Sequence, residues 1–266
     1  MSEWLVLGIV MAAATAVVVA VTLLNQRRRS LKEARGEEPG QDGVETPDVL
    51  EYMTMMVGVV YAIVLGLAIA GVWEARSAAQ DDVRREAQAL HELVQRAEVF
   101  PADHRARVTN DVDTYVSHVV RQEWPRMVDG GDVNGRGGEL LDEIRSTVAG
   151  NVPRGELQSQ AYQPMLDRVA IADEARNARI QNAAATLPGV VWFGLIAGAL
   201  VTVGLIFTMN IGRSYQELLL AGFFSALIAF LIFLVWDFDA PFGRSGTDSA
   251  DTFRMLFPRA AGTTAD

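Results

Sequence analysis

The sequence predicts an all-α, multi-pass membrane protein with four transmembrane helices and a helical water-facing domain between the second and the third. Three observations predict it. Half of the 266 residues are hydrophobic while 21% are charged, and the two classes are segregated along the chain, as in membrane proteins. Four apolar runs hold about 20 residues without a charge, the length a helix needs to cross the hydrocarbon core. Trp4, Tyr52, Trp73, Trp192, Tyr215 and Trp236 fall near the run ends, and aromatic rings prefer the headgroup level.

The first span occupies residues 1–24, with the uncharged run Trp4–Leu24. A cleaved signal peptide is the competing reading. It is disfavoured because the basic residues follow the run rather than precede it, and the run is too long for an h-region. Residues 25–51 form a charged linker rich in Arg, Glu, Gly, Pro and Asp, a composition expected of loop and partial disorder. The second span is 52–73. From Glu74 the helix pattern continues without a breaker into the water-facing domain, residues 74–186. Ala79, Val83, Ala87, Leu90, Val94 and Ala97 recur at steps of three and four, the period of a helix. Pro101 ends that helix. A second helix begins near Ala102, carries Val108, Val112, Tyr115, Val116 and Val119, and stops around Trp124-Pro125.

The glycine-rich stretch Asp129–Gly138 is a loop. A shorter helix covers about 139–149. A long one starts after Pro153, with Leu157, Tyr162, Met165, Leu166, Val169 and Ala172, and is expected to run on into the third span, residues 187–211. A short hairpin leads to the fourth span, 215–236, and residues 237–266 read as a polar tail with little helix signal. No segment shows a period-two strand pattern. Four spans put both termini and the central domain on one side. The basic residues Arg27–Arg29, Lys32 and Arg35 mildly favour a cytoplasmic first linker, which would leave the central domain outside.

The composition excludes several function classes. A net charge of -10 carries no nucleic-acid footprint. The absence of cysteine excludes disulfides, thiolate metal sites and thiol nucleophiles. With no P-loop, dinucleotide fingerprint, HExxH or nucleophile elbow, neither an enzyme nor a cofactor is expected. His91, His104 and His118 form no tight ligand pair and read as helix-face histidines. Asp132, Asn134, Gly137 and Glu143 echo a calcium loop at positions one, three, six and twelve. Arg136 stands at position five, where a ligand belongs, so the stretch reads as a turn and no metal is expected.

Within the spans, Gly58, Ala62 and Gly66 make a small-residue stripe, Gly194 and Gly198 a GxxxG, and Gly222 continues the idea on the fourth. Small residues let helix backbones approach closely in lipid, so these are helix-packing positions. The other face of the second span carries Val57, Tyr61, Val64 and Ala68, the candidate pore lining. No ionisable residue lies deep in a span, unlike proton relays or voltage sensors. A pore gated by apolar side chains needs none.

Four phrases recur in order: Tyr61-Ala-Ile-Val-Leu-Gly-Leu-Ala with Trp73-Glu74, Arg85-Glu86-Ala87-Gln-Ala-Leu90, Tyr115 with Glu123-Trp124-Pro125, and Asp239-Ala-Pro241-Phe242-Gly243. Together, over roughly residues 50–245, they resemble the bestrophin-like domain family of bacterial membrane proteins, with a distant likeness to bestrophin anion channels. The resemblance implies a cell-membrane, multi-pass protein in the lipid bilayer. It implies a homo-oligomer, a pentamer by preference, that handles anions or small solutes. It also implies a cytoplasmic central domain, opposite to the charge tally. The family ending is Asp-x-Pro-Phe-x-Gly, whereas Gly243 follows Phe242 directly here. Trp73, Glu86, Tyr115, Glu123, Trp124, Pro241 and Phe242 read as structural, tying the central helices together. The expected function is an oligomeric channel passing anions or small solutes. The alternative is a non-conducting scaffold or sensor whose central domain binds a partner or ligand.

Overall fold

The computed structural model describes residues 48–129, 131, 133, 135–183, 187–208, 215–242 and 250–262. The expected first span, 1–24, lies outside the described residues, as do the linker up to residue 47, the hairpin after the third span, Asp132, Asn134 and Gly243. Every regular element among the described residues is helical: α1 Asp48–Arg96, α2 Ala102–His118, α3 Trp124–Val128, α4 Arg136–Ala149, α5 Glu156–Gln181, α6 Gly189–Thr208, α7 Tyr215–Phe238 and α8 Asp251–Leu256. A 3-10 turn, Ala97–Val99, follows α1, and a π-helical turn, Val119–Glu123, joins α2 to α3. The chain divides into two compact units, residues 1–72 with 187–238 and residues 73–186 with 239–266.

In the first unit, α1 and α7 are long and apolar enough to cross a membrane, and the apolar stretch Gly189–Leu205 of α6 is shorter. Tyr61, Leu65 and Val72 of α1 pack with Leu195 and Ala199 of α6 and with Ile228 and Val235 of α7. Spacings of four and seven put the α1 residues on one stripe. Hydroxyls in this unit bond to backbone oxygens: Thr202 donates to Gly198 at 2.8 Å and Ser225 to Ala221 at 2.9 Å. In an apolar surrounding an unpaired hydroxyl would be costly.

In the second unit, the residues at helical steps on four elements build one core. They include Ala79, Val83, Ala87, Leu90 and Leu93 of α1, Val108, Val112, Tyr115 and Val116 of α2, Leu140, Leu141, Ile144 and Val148 of α4, and Met165, Val169 and Ala172 of α5. The long helix after Pro153 does not run into the third span, contrary to expectation. Asn182 caps α5, its N–H bonded to Ala178 O at 2.8 Å. Pro188 has no N–H and disfavours helix in the residue before it, while its carbonyl starts α6 by accepting from Val191 at 2.9 Å. The tail also differs from the expected polar coil. Phe242, Phe253 and Phe257 are buried in the core of this unit, and α8 carries Phe253. Six residues are too few for a periodic signal, so sequence pattern could not show that helix.

Candidate functional site

The π-helical turn Val119–Glu123 fixes the most heavily charged buried site. Such a turn inserts an extra residue into an α-helix and is frequent at functional positions. Val119 and Glu123 at its two ends are both buried, and Arg121 between them is exposed. Glu123 then meets two arginines from α5. Arg176 Nη2 donates to Glu123 Oε1 at 2.7 Å, and Arg179 Nη2 to Glu123 Oε2 at 3.0 Å. Arg179 also grips Glu86 of α1 through Nε to Oε2 at 2.7 Å and Nη2 to Oε1 at 3.2 Å, while Nη1 lies 2.9 Å from Met127 Sδ. The Tyr115 hydroxyl donates to Glu86 Oε1 at 2.6 Å. Glu86, Glu123 and Arg179 are fully buried, and Arg176 is nearly so.

Two carboxylates and two guanidiniums make the cluster neutral, and the planar Arg179 fork matches carboxylate geometry. Burial alone would push the Glu123 carboxyl up, but Arg179 and Arg176 outweigh it and hold it below the ordinary value. Burial and the neighbouring Glu86 carboxylate push the Tyr115 hydroxyl well up, keeping it a neutral donor. Burial opposes the Arg179 charge, yet Glu86, Tyr115 and Glu123 raise its pKa above normal. Gly137 makes the arrangement fit, because a Cβ there would strike Glu123 Oε1 and sit 2.7 Å from Arg176 Nη2.

The structure thus brings together four of the residues singled out in the family phrases, Glu86, Tyr115, Glu123 and Trp124. Phe242 joins them, its ring meeting that of Trp124 edge-on at 5.2 Å. Pro241 is buried beside Phe242, and Trp73 is exposed. Sequence reading missed Arg176 and Arg179. Their signal is that they continue the buried stripe Met165, Val169, Ala172 at steps of four and three.

In the membrane-type unit, Val57, Tyr61 and Val64 line an apolar groove of about 480 Å³ with Gly194, Gly198 and Val201 of α6. Val57 and Val64 are exposed, Ala68 is half-buried, and Tyr61 is buried with its hydroxyl donating to Leu195 O at 3.1 Å. Gly198 lies under the Tyr61 ring; a Cβ there would sit 2.6 Å from Cδ2. Cβ atoms at Gly58, Gly66 and Gly194 would meet nothing within 4 Å. Ala62 is exposed, and Gly222 is half-buried. Gly198→Ala is expected to destabilise the chain by about 1–3 kcal/mol through overpacking, and Gly194→Ala by less. Thermal melting of both variants in detergent checks this.

The histidines do not come together as ligands, and no group of three His, Cys, Asp or Glu side chains able to hold a metal occurs among the described residues. Of the calcium-loop positions, Arg136 pairs with Glu139 at 3.0 Å and Glu143 at 3.1 Å. His104 is buried against the Phe100 ring at 5.2 Å, and both its ring nitrogens are without a hydrogen bond. Burial and Arg107 push its pKa below the ordinary value, and burial is also the main cause lowering His118. Unfolding therefore takes up protons between the folded pKa values and the unfolded value of about 6.5. Stability is expected to fall as pH drops below about 6.5, and His104→Leu is expected to reduce that slope. Melting temperatures at several pH values between about 7.5 and 5.5 check the sign.

Polar groups also line an open cleft of about 780 Å³ in the second unit, with contributions from α2, the π turn, α4 and the segment after α8.

Comparison with known proteins places this architecture. No curated protein matches the chain. Among solved structures, a point variant of a bacterial bestrophin homologue from Klebsiella pneumoniae superposes with a TM-score of 0.69 at 13% identity, over 95% of this chain and 99% of that one. The same homologue solved by Zn-SAD phasing gives 0.66 at 14% identity, over 96% and 99%. A structure described as a membrane protein gives 0.70 at 13% identity, over 95% and 98%. At such identities the likeness is one of fold. The family model of the bestrophin-like domain matches residues 12–246, and with most of its length so matched, the chain belongs to the bestrophin-like domain family.

Proposed function

We propose that this chain is the subunit of an oligomeric, four-span membrane channel, pentameric by preference, that passes anions or small solutes through an apolar-gated pore in the cell membrane. The observation that carries the reading is the fold likeness to a bacterial bestrophin homologue over nearly the full length of both chains. The apolar surface of the first unit supports it. Val60 and Leu67 of α1 and Phe223 of α7 are exposed on helices long and apolar enough to cross a membrane, and Phe193 and Leu200 are exposed on the shorter apolar stretch of α6; an apolar patch of this kind calls for lipid or other subunits to cover it. Val57, Tyr61, Val64 and Ala68 are the proposed lining. Val57 and Val64 are exposed along the apolar groove, and Tyr61 backs them from the α1–α6 contact.

Planar-bilayer recordings of the purified protein test the reading, together with native mass spectrometry for subunit number. Absence of any current from a monomeric protein sinks it. Because the chain has no cysteine, Val57→Cys and Val64→Cys each introduce a single thiol. A charged methanethiosulfonate reagent is expected to reduce current in both, and to leave Ile63→Cys, on the opposite face of α1, unaffected. A non-conducting sensor is the second reading, favoured by the polar cleft in the second unit. A pentameric ring without current but with a ligand-dependent melting shift would select it.

A further inference from the structure

The cleft beside the π turn is a place where the charge pattern of the molecule reverses. The chain as a whole carries -10, yet Arg121, Arg136 and Arg259 reach the cleft from three separate segments, with Asp113 as the acidic lining residue among those described. Arg136 is shared by Glu139 and Glu143. Arg121 and Arg259 form no ion pair within 4 Å among the described residues; burial pushes the Asp113 carboxyl up and Arg259 partly restores it. Two guanidiniums are therefore left with donors to give. Ser117 adds a hydroxyl-bearing side chain to the lining, and His118, buried to more than nine-tenths, also lines it. His118 Nε2 has no hydrogen bond and stands 3.8 Å from Glu123 Oε1.

The backbone is shaped around Arg121. The π turn that sends Glu123 inward leaves Arg121 in the cleft. Gly262, at a φ of 76°, carries the C-terminal turn against the same guanidinium, where a Cβ would lie 3.0 Å from Nη2. A left-handed glycine at a close approach is a position that other residues fill only with strain.

We propose that this cleft binds a small phosphate monoester, with the Arg121 and Arg259 guanidiniums and the Ser117 hydroxyl as donors to its oxygens. Guanidinium forks match phosphate geometry and give charge-assisted hydrogen bonds. A volume of about 780 Å³ exceeds what inorganic phosphate fills and suits a phosphorylated polyol. No aromatic ring to stack a nucleobase stands among the described lining residues besides the His118 imidazole, so a nucleotide fits less well. The same chemistry is presented by a soluble ester and by the headgroup of phosphatidic acid.

Isothermal titration of the full chain in phosphatidylcholine nanodiscs with glycerol 3-phosphate tests the soluble source. Repeating it in nanodiscs containing phosphatidic acid tests the lipid source, because an occupied cleft suppresses the heat. Saturable binding in the first disc supports the proposal, whether or not phosphatidic acid suppresses it. Arg121→Gln and Arg259→Gln are each expected to weaken binding about tenfold or more, the loss of one charge-assisted hydrogen bond. Arg254→Gln, at a residue bonded to Asp251 outside the cleft, is expected to leave it unchanged. Arg121→Lys keeps the charge without the fork and is expected to fall between, which guards against a folding defect. Wild-type affinity in both Gln variants, or no saturable heat from wild type, overturns the proposal. Because the readout is binding, it stands or falls separately from conduction.

Discussion

Arg179→Met is expected to destabilise the second unit by about 3–5 kcal/mol, the usual effect of removing one partner from a buried ion pair. The substitution deletes the fork that holds Glu86 and one of the two arms on Glu123. Both carboxylates are fully buried. Arg176 still neutralises Glu123, but Glu86 keeps only the Tyr115 hydroxyl. A buried carboxylate with one neutral donor protonates rather than stay charged. The variant is therefore expected to lose less stability at pH 5 than at pH 8, the opposite of the histidine-driven trend in the parent. Adding Glu86→Gln to Arg179→Met should recover part of the loss, since no unpaired charge remains. Thermal melting across pH for the parent, the single variant and the pair measures this. An Arg179→Met variant melting within about 1 °C of the parent would remove the cluster from any structural role.

The second large effect is expected at Gly137. Gly137→Ala would place its methyl against Glu123 Oε1 and the Arg176 guanidinium. Neither can swing aside freely. Glu123 is held by both arginines, and Arg176 is nearly buried. Relief requires α4 to move or the 2.7 Å contact between Arg176 and Glu123 to open. Overpacking alone costs about 1–3 kcal/mol, and a disrupted charged hydrogen bond adds about 1.5–3. The methyl incurs both in part, so the total is expected between either cost alone and their sum, at about 2–4 kcal/mol. In a Glu123→Ala background the contact with Oε1 is gone and Arg176, released from its carboxylate partner, is free to shift, so Gly137→Ala should cost markedly less there. That coupling, measured as a double-mutant cycle, separates a steric clash from a general helix effect. Equal costs in both backgrounds would refute the stated cause.

The helical architecture was legible in the sequence because membrane-type runs and three-four steps are local signals. Val83, Ala87 and Leu90, and Val108, Val112 and Tyr115, are buried where their spacing puts them. The buried cluster was half legible. Glu86, Tyr115, Glu123 and Trp124 stood out through the family phrases, but their partners did not, because Arg176 and Arg179 near the third span look like topology charges. A charged residue on an apolar stripe is the clue, and it acquires meaning once its counter-charge is placed opposite in space. The π turn was illegible, since one extra residue in a helix leaves the composition unchanged. On α1, the small-residue stripe and the packed stripe are different faces. Tyr61 and Leu65 fill the contact with α6, while Cβ atoms at Gly58 and Gly66 would meet nothing. Small size signals that a close approach is allowed, not that this chain alone supplies it.

The ion cluster also sets an order on biogenesis. Glu86 and Arg179 are separated by 93 positions. At ordinary synthesis rates roughly 5–20 s pass between the emergence of the two. Until α5 delivers Arg176 and Arg179, neither ionised carboxylate has its counter-charge, so closing the early helices around Glu86 and Glu123 is costly. Phe242 and Phe253 follow later still. The nascent chain thus carries two acidic side chains that keep its half-made interior wet, a delay against premature collapse that ends when α5 brings in its pair of arginines.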